Sequence, residues 1–219
     1  MARTTLDEGS ANERSYRHVR QGILTGRFPG GTMLSEATLA AELAVSRTPV
    51  RAALVRLQEE GWVTIYPKRG ALVQTLSDRA VRELAEAKAM LESGAVRAAR
   101  PRALTALAVE MRPDLLRQQE VLNAGDLTAF VELSIAFHRS FIAAAGNEVV
   151  LELYDRLADR QRFLLFSYGR RLLDRAAAIV EEHGLLLDAA ASGDGDAFAA
   201  TLRDHLTKSY GDATDPRSS

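Results

Sequence analysis

The chain has 219 residues, 47% of them hydrophobic, and a formal net charge of −1. That composition supports a packed core and excludes global disorder. No apolar run approaches the roughly 20 residues that cross a bilayer, the polar N-terminus MARTTLDEGSANER is unlike a signal peptide, and the absence of cysteine excludes disulfide frameworks and thiolate metal sites.

A cytoplasmic protein of one large or two small domains is therefore expected, with no membrane partner. The charge is unevenly spread. Residues 1–76 carry 10 Lys and Arg against 7 Asp and Glu, which is +3; residues 77–219 carry 18 against 22, which is −4. Such asymmetry between halves hints at different tasks.

Residues 1–12 read as a disordered tail. From Arg14 to Thr25 the apolar residues Tyr16, Val19 and Ile23 fall at helical spacing, with Gly26 as a stop. Phe28-Pro29-Gly30-Gly31 is a loop. Ser35 can cap a second helix through Leu39 and Leu43, and Ser46 a third running to about Gln58. Pro49 sits in the first turn of that helix, where a missing N–H costs nothing, and Gly61 ends it. The period then changes to two: Trp62–Tyr66 and Ala71–Thr75 flank the turn Pro67-Lys68-Arg69-Gly70. Three helices and a β-hairpin predict a winged helix-turn-helix over residues 13–76. After Ser77 the pattern is helical throughout. Helices are expected near 78–99, 102–123, 127–145, 148–168, 172–191 and 196–210, with stops at Pro101, Gly125-Asp126, Gly146-Asn147, Gly169 and Ser192–Gly195. The fold class is mainly α, with an antiparallel bundle of about six helices over 77–211 and a second tail over 212–219.

The third helix begins Ser46-Arg47-Thr48-Pro49-Val50-Arg51. Arg47 and Arg51 are four residues apart and share a face. Ser46 and Thr48 add hydroxyls, and a helix start offers free backbone N–H groups to phosphate. Guanidinium and short polar groups in the first turns of a helix are what major-groove reading requires. Val50, Leu54 and Leu57 point the other way, toward a core. Lys68 and Arg69 at the hairpin tip suit backbone or minor groove. The alternative for the arginines is an ordinary solvated helix face.

Three histidines lie on helices in the second half. His138 shares a stripe with Val131, Ser134 and Phe141, His183 with Ile179, Leu187 and Ala190, and His205 with Phe198, Leu202 and Ser209. His183 lies 11 residues before Asp194 and His205 11 after it, so a helical hairpin centred there sets both rings at one height. Three inward imidazoles suit a Zn²⁺- or Ni²⁺-type divalent metal with open positions. Three separate core histidines, each bonded to a carbonyl or carboxylate, are the alternative.

Residues 16–75, with VSRTPVRAAL followed by an acidic pair, a Gly and a K-R-G wing, resemble the winged helix of the GntR family of bacterial regulators. The resemblance implies that Ser46, Arg47, Thr48 and Arg51 read operator DNA and that Lys68, Arg69 and Gly70 make the wing contact. Ala37 stands where the family usually has Arg, which removes one contact. The order LSIAFHRSF, AAGNEVV, EEHGLLLDA, GDGDAFAATLRDHL resembles the FCD ligand-binding domain of the FadR subfamily, at the length of its VanR-like members. That resemblance implies a metal held by an Asp and three His beside an organic-acid effector. The histidines match at His138, His183 and His205, but the Asp is Ser134, which leaves a coordination position to water or an effector carboxylate. Glu132 lies about 240° around the helix from His138 and cannot substitute. The family's R-x-x-L-E is Lys88-Ala89-Met90-Leu91-Glu92, so Lys88 replaces an effector-binding arginine with a point charge. Glu92 is read as a packing carboxylate and Asn147 as a helix start.

The expectation is a DNA-binding transcription regulator, with repression as its mode. It acts as a homodimer on palindromic double-stranded operator DNA, since two-fold proteins read two-fold sites, and answers to a small anionic effector. A metal-sensing regulator is the alternative within this class. A metalloenzyme using three histidines is the rival outside it; it needs a general base, and no carboxylate shares the histidine stripes.

Overall fold

The computed structural model describes residues 9–211. The chain divides into two compact units, Met1–Thr75 and Leu76–Ser219. The tails expected at 1–12 and 212–219 lie mostly outside the described residues. Within them α1 (Ala11–Leu24) starts inside the expected tail, because Ser10 accepts a hydrogen bond from the Glu13 amide and caps it.

In the first unit α1, α2 (Glu36–Glu42) and α3 (Arg47–Glu59) surround a small core of Val19, Ile23, Leu39, Val50, Leu54 and Leu57. A polar clasp adds to this core: the Arg56 guanidinium lies 3.5 Å from the centre of the Tyr16 ring, and the Tyr16 hydroxyl donates to Glu60. The sheet has three strands, not the two of a hairpin alone. β1 (Met33–Leu34) pairs with β3 (Gly70–Val73), which pairs in turn with β2 (Val63–Tyr66), all antiparallel. A two-residue strand carries no periodic signal, so the sequence hides it. Its presence explains Gly70. That glycine has φ +117°, and a Cβ there would strike the Leu34 carbonyl across the ladder.

The second unit is all helical. It comprises α4 (Asp78–Ala98), α5 (Pro101–Asn123), α6 (Leu127–Ala144), α7 (Glu148–Asp155), α8 (Ala158–Ser167), α9 (Gly169–Asp174), α10 (Ala176–Ala191) and α11 (Gly195–Tyr210). There are eight described helices where six were expected, because two are interrupted. The predicted 148–168 segment breaks at Arg156-Leu157. The segment predicted from 172 starts at Gly169 and breaks at Arg175. Neither break carries Gly or Pro, so neither is punctuated in the sequence. α6 is the central helix, packed on α4, α5, α7 and α8. Its 18 residues are long and apolar enough to cross a membrane by composition alone. Phe130, Val131, Phe137, Phe141 and Ile142 are instead buried against protein.

Candidate DNA-reading surface and candidate metal centre

Ser46 occupies the N-cap position of α3 but makes no capping bond with its side chain, and Ser46, Arg47, Thr48 and Arg51 are all exposed on one end of that helix. Val50, Leu54 and Leu57 are buried on the opposite side and fix the helix orientation. Arg51 is engaged: its Nε and Nη2 donate to the two oxygens of Glu36 at 3.1 and 2.8 Å, a bidentate fork. The bond from Arg51 holds the Glu36 carboxyl below its ordinary range. At the wing, the Arg69 amide donates to the Tyr66 carbonyl at 3.0 Å, with Pro67 and Lys68 in the middle of the turn. Lys68 has φ +64°. Proline followed by a left-handed residue is the type II turn pattern, in which glycine is the usual second residue. A lysine held there at some cost presents its charge at the tip. Lys68 and Arg69 are exposed, whereas Gly70 is needed by the sheet.

His138 on α6, His183 on α10 and His205 on α11 are buried and meet in the core of the second unit. One ring nitrogen from each lies within 4.8 Å of the others. The ring centroids of His183 and His205 are 4.9 Å apart, as the equal arms about Asp194 require. Each outer nitrogen is held. His138 Nδ1 meets Glu92 Oε2 at 2.7 Å, His205 Nδ1 meets Glu182 Oε2 at 2.8 Å, and His183 Nδ1 meets Gln118 Oε1 at 2.6 Å. A carboxylate only accepts, so it sets the proton on Nδ1 and leaves Nε2 as a lone pair aimed at the centre. Burial, outweighing the attraction of Glu92, lowers His138 to about 4, and burial also lowers His183. Both rings are therefore neutral at pH 7, as ligands must be. His183 Nε2 is buried without a hydrogen-bond partner. Three converging ring nitrogens, one of them orphaned, fit a divalent cation.

Behind His138 lies a buried charge network. Lys88 Nζ is 3.0 Å from Glu92 Oε1 and donates to the Tyr154 hydroxyl at 2.9 Å and to Gln161 Oε1 at 3.3 Å; Tyr154 in turn donates to Glu92. Glu92 stays ionised, lowered to about 2: burial opposes this, but His138 and Lys88 together outweigh it. Glu92 is thus more than a packing carboxylate, because it orients a histidine. Lys88 lines the cavity beside the histidines, but its charge is already balanced within the protein. Ser134 lines the same cavity. Glu132 is exposed and paired with Arg162, and Asn147 caps α7. The cavity is small, with about 20 Å³ available to the centre of a water-sized group; one water needs about 10–15 Å³ on that measure.

The N-terminal unit matches the family of bacterial regulatory proteins of the gntR type over residues 11–73, and the helical unit matches the FCD domain over residues 83–208. A Streptomyces ambofaciens protein, described as an uncharacterized HTH-type transcriptional regulator in an unstable DNA locus, is 32% identical over 93% of this chain and 86% of its own. The chain belongs to the gntR family of bacterial regulatory proteins. This GntR regulator is also similar to the HTH-type transcriptional repressor RspR of Escherichia coli K12, at 27% identity over 89% of this chain and 85% of that one. It shares its fold with a GntR transcriptional regulator from Rhodococcus sp. RHA1, at TM-score 0.74, 23% identity, and coverage of 95% and 99% of the two chains. The family and the named relatives are transcription regulators, not enzymes.

Sequence reasoning about the GntR regulator missed Gln118, Gln161 and Glu182. Gln118 had a readable signal, since it interrupts the buried stripe of α5 formed by Leu104, Leu107, Met111 and Leu122. Glu182 had none. It flanks His183 but reaches His205 on the next helix, a contact that only the packing of α10 on α11 creates. The absence of carboxylates from the histidine stripes did not keep them from the site: Glu92 and Glu182 approach the outer nitrogens. Neither supplies a base at the inner face.

Proposed function

We propose that this GntR regulator is a FadR-subfamily repressor. It acts as a homodimer on a palindromic operator, reading it with Ser46, Arg47, Thr48 and Arg51 and touching backbone with Lys68 and Arg69. Operator DNA sets its place in the cytoplasm. Its effector site is the three-histidine cavity, where His138, His183 and His205 hold a divalent transition metal of the Zn²⁺ or Ni²⁺ type. The observation that carries this reading is the set of three inward imidazole nitrogens within 4.8 Å, each backed by a carboxylate or amide on its outer nitrogen. Bound there, the ion supplies positive charge that draws an anionic ligand. The residues around it exclude water, hold the three ring nitrogens inward and keep Glu92 and Lys88 mutually neutralised. A ligand with different affinity for two arrangements of the DNA-binding units shifts operator affinity by that difference.

The small cavity favours a second reading, in which the ion itself is the effector. One titration separates them. Operator binding is followed by mobility shift as Zn²⁺ or Ni²⁺ is added to metal-free protein, with and without small organic acids. Release by acid only in the presence of metal supports the first reading. Release by metal alone supports the second, and indifference to both rejects the site.

A further inference from the structure

Of the cations on the proposed DNA-reading surface, Arg51 is held differently from the rest. Arg47, Lys68 and Arg69 have no carboxylate within ion-pair distance among the described residues, so they are open to phosphate or base. Arg51 instead donates from Nε and Nη2 to the two oxygens of Glu36 at 3.1 and 2.8 Å. Glu36 opens α2, whose sequence EATLAAE contains no Lys or Arg, so that helix brings no cation of its own to offset it. The bond from Arg51 keeps Glu36 ionised against burial, with further help from the charges of Arg51 and Arg47. A surface that must approach a polyanion thus carries a fixed negative charge, which opposes binding to phosphate wherever the chain meets DNA.

A guanidinium carries five N–H donors in one plane. Glu36 takes one from Nε and one from Nη2, which leaves both donors of Nη1 and one of Nη2. Nη1 and Nη2 form the end of the side chain, where they offer a pair of parallel donors. The Arg51 side chain is 68% exposed, so that end is open to a partner. Two parallel donors match N7 and O6 of guanine, and they also match two oxygens of a phosphate. The charge beside the fork separates these partners. Guanine is neutral, and its acceptors need only aligned N–H groups. Phosphate is drawn by net charge, and the pair of Arg51 with Glu36 has none.

Resting on the DNA-reading surface described above, we propose that Glu36 is a specificity-determining residue that acts through Arg51. It holds the Nε–Nη2 edge, aims the Nη1–Nη2 end at N7 and O6 of one guanine in each operator half-site, and keeps Arg51 from settling on phosphate. Glu36 therefore lowers affinity for DNA in general and raises the preference for the operator. Arg51 reaches the base already oriented, which reduces the ordering cost of that contact.

The test uses the full chain, a duplex that wild type selects from a pool of randomised sequence, and a mixed-sequence duplex that lacks the selected motif. Affinity for both is measured by fluorescence anisotropy over a salt series, with circular dichroism on each variant. Glu36→Gln keeps the size and one acceptor but loses the charge. It is expected to bind the mixed-sequence duplex more tightly, with a salt slope steeper by roughly one unit per subunit. Its preference for the selected duplex is expected to fall about 5- to 10-fold, the lower part of what one bidentate contact discriminates. Glu36→Asp retains the charge and is expected to keep the wild-type salt slope and mixed-sequence affinity. Replacing guanines of the selected duplex singly by 7-deazaguanine removes N7 alone. One position in each half-site is expected to weaken wild type while leaving Arg51→Ala no weaker than before. If no such position exists, the guanine assignment is wrong. If Glu36→Gln keeps the wild-type salt slope and preference, or weakens both duplexes equally, the proposal fails while Arg51 still reads DNA. If Arg51→Ala binds the selected duplex as wild type does, the reading of DNA by Arg51 fails and the proposal falls with it.

Discussion

Arg51 carries the residue-scale test of the proposed DNA-reading surface. Its fork is satisfied by Glu36 when no DNA is present, which fixes the guanidinium plane at low entropic cost. Arg51→Ala should lower operator affinity by about 1–3 kcal/mol for each base that the guanidinium reads, counted twice in a dimer. Arg51→Lys should rescue it poorly, since a point charge cannot replace a fork. Mobility shift and circular dichroism decide; unchanged affinity with unchanged helicity would clear Arg51 of a reading role. His138 makes a different residue-scale prediction, for the metal-free chain. Its folded value is lowered to about 4 by burial, against an ordinary 6.5. Between those values the unfolded chain carries the extra proton, so stability falls as pH falls through that window and is unaffected above it. The stability that disappears by pH 5 is about 2 kcal/mol. Glu92, lowered to about 2, loses its own contribution only below about 4.5. Thermal melts at pH 7 and pH 5 should therefore differ in wild type and differ less in His138→Gln.

At the scale of elements, the helix-turn-helix corner holds a testable strain. Ala44, between α2 and α3, has φ +52°, a left-handed conformation that costs a residue with a Cβ about 1–2 kcal/mol. It is exposed, so little packing is at stake. Ala44→Gly should stabilise the winged unit by up to about 1 kcal/mol, the strain relief being offset in part by chain entropy. The chain has one tryptophan, Trp62, and it lies in this unit. Its fluorescence in a urea titration thus reads this unit alone, and a midpoint that fails to rise would refute the strain. The wing makes a second prediction. Lys68→Ala with Arg69→Ala should weaken specific and non-specific DNA binding alike and flatten the salt dependence by roughly one unit for each phosphate no longer neutralised. An unaltered slope would remove the wing from the interface. What the sequence revealed about these elements follows from how local each signal is. Ser35, Gly61 and the Pro67–Gly70 turn act through their own backbone and are readable. The breaks at Arg156 and Arg175 and the strand Met33–Leu34 depend on distant partners, as do the carboxylates behind the histidines. The histidine stripes were readable because helical periodicity and the length of the 192–195 hairpin are both local.

For the molecule as a whole, the question is what the replacement of an expected aspartate by Ser134 does to a two-unit regulator. The three histidines are pre-oriented by Glu92, Gln118 and Glu182, so the site is built before any ion arrives. It lacks one anionic ligand on α6, where Ser134 is buried one turn before His138. Three neutral ligands should hold metal more weakly than three plus a carboxylate, and losses of roughly 10- to 100-fold follow even from disturbing outer partners. Ser134→Asp should then raise metal affinity and, by adding a negative charge beside the ion, weaken small anions. Each His→Ala variant should reduce bound metal in the opposite direction. Metal content after dialysis against Zn²⁺ or Ni²⁺ gives the first result, and operator binding by the same samples gives the second. If the helical unit controls the winged unit, Ser134→Asp should bind operator like wild type in metal-free buffer and differ only when metal and acid are both present. A variant that gains metal but answers acid as wild type does would separate the cavity from control of DNA binding. A variant that gains none, beside a wild type that holds none, would reduce the three histidines to core or effector-binding groups.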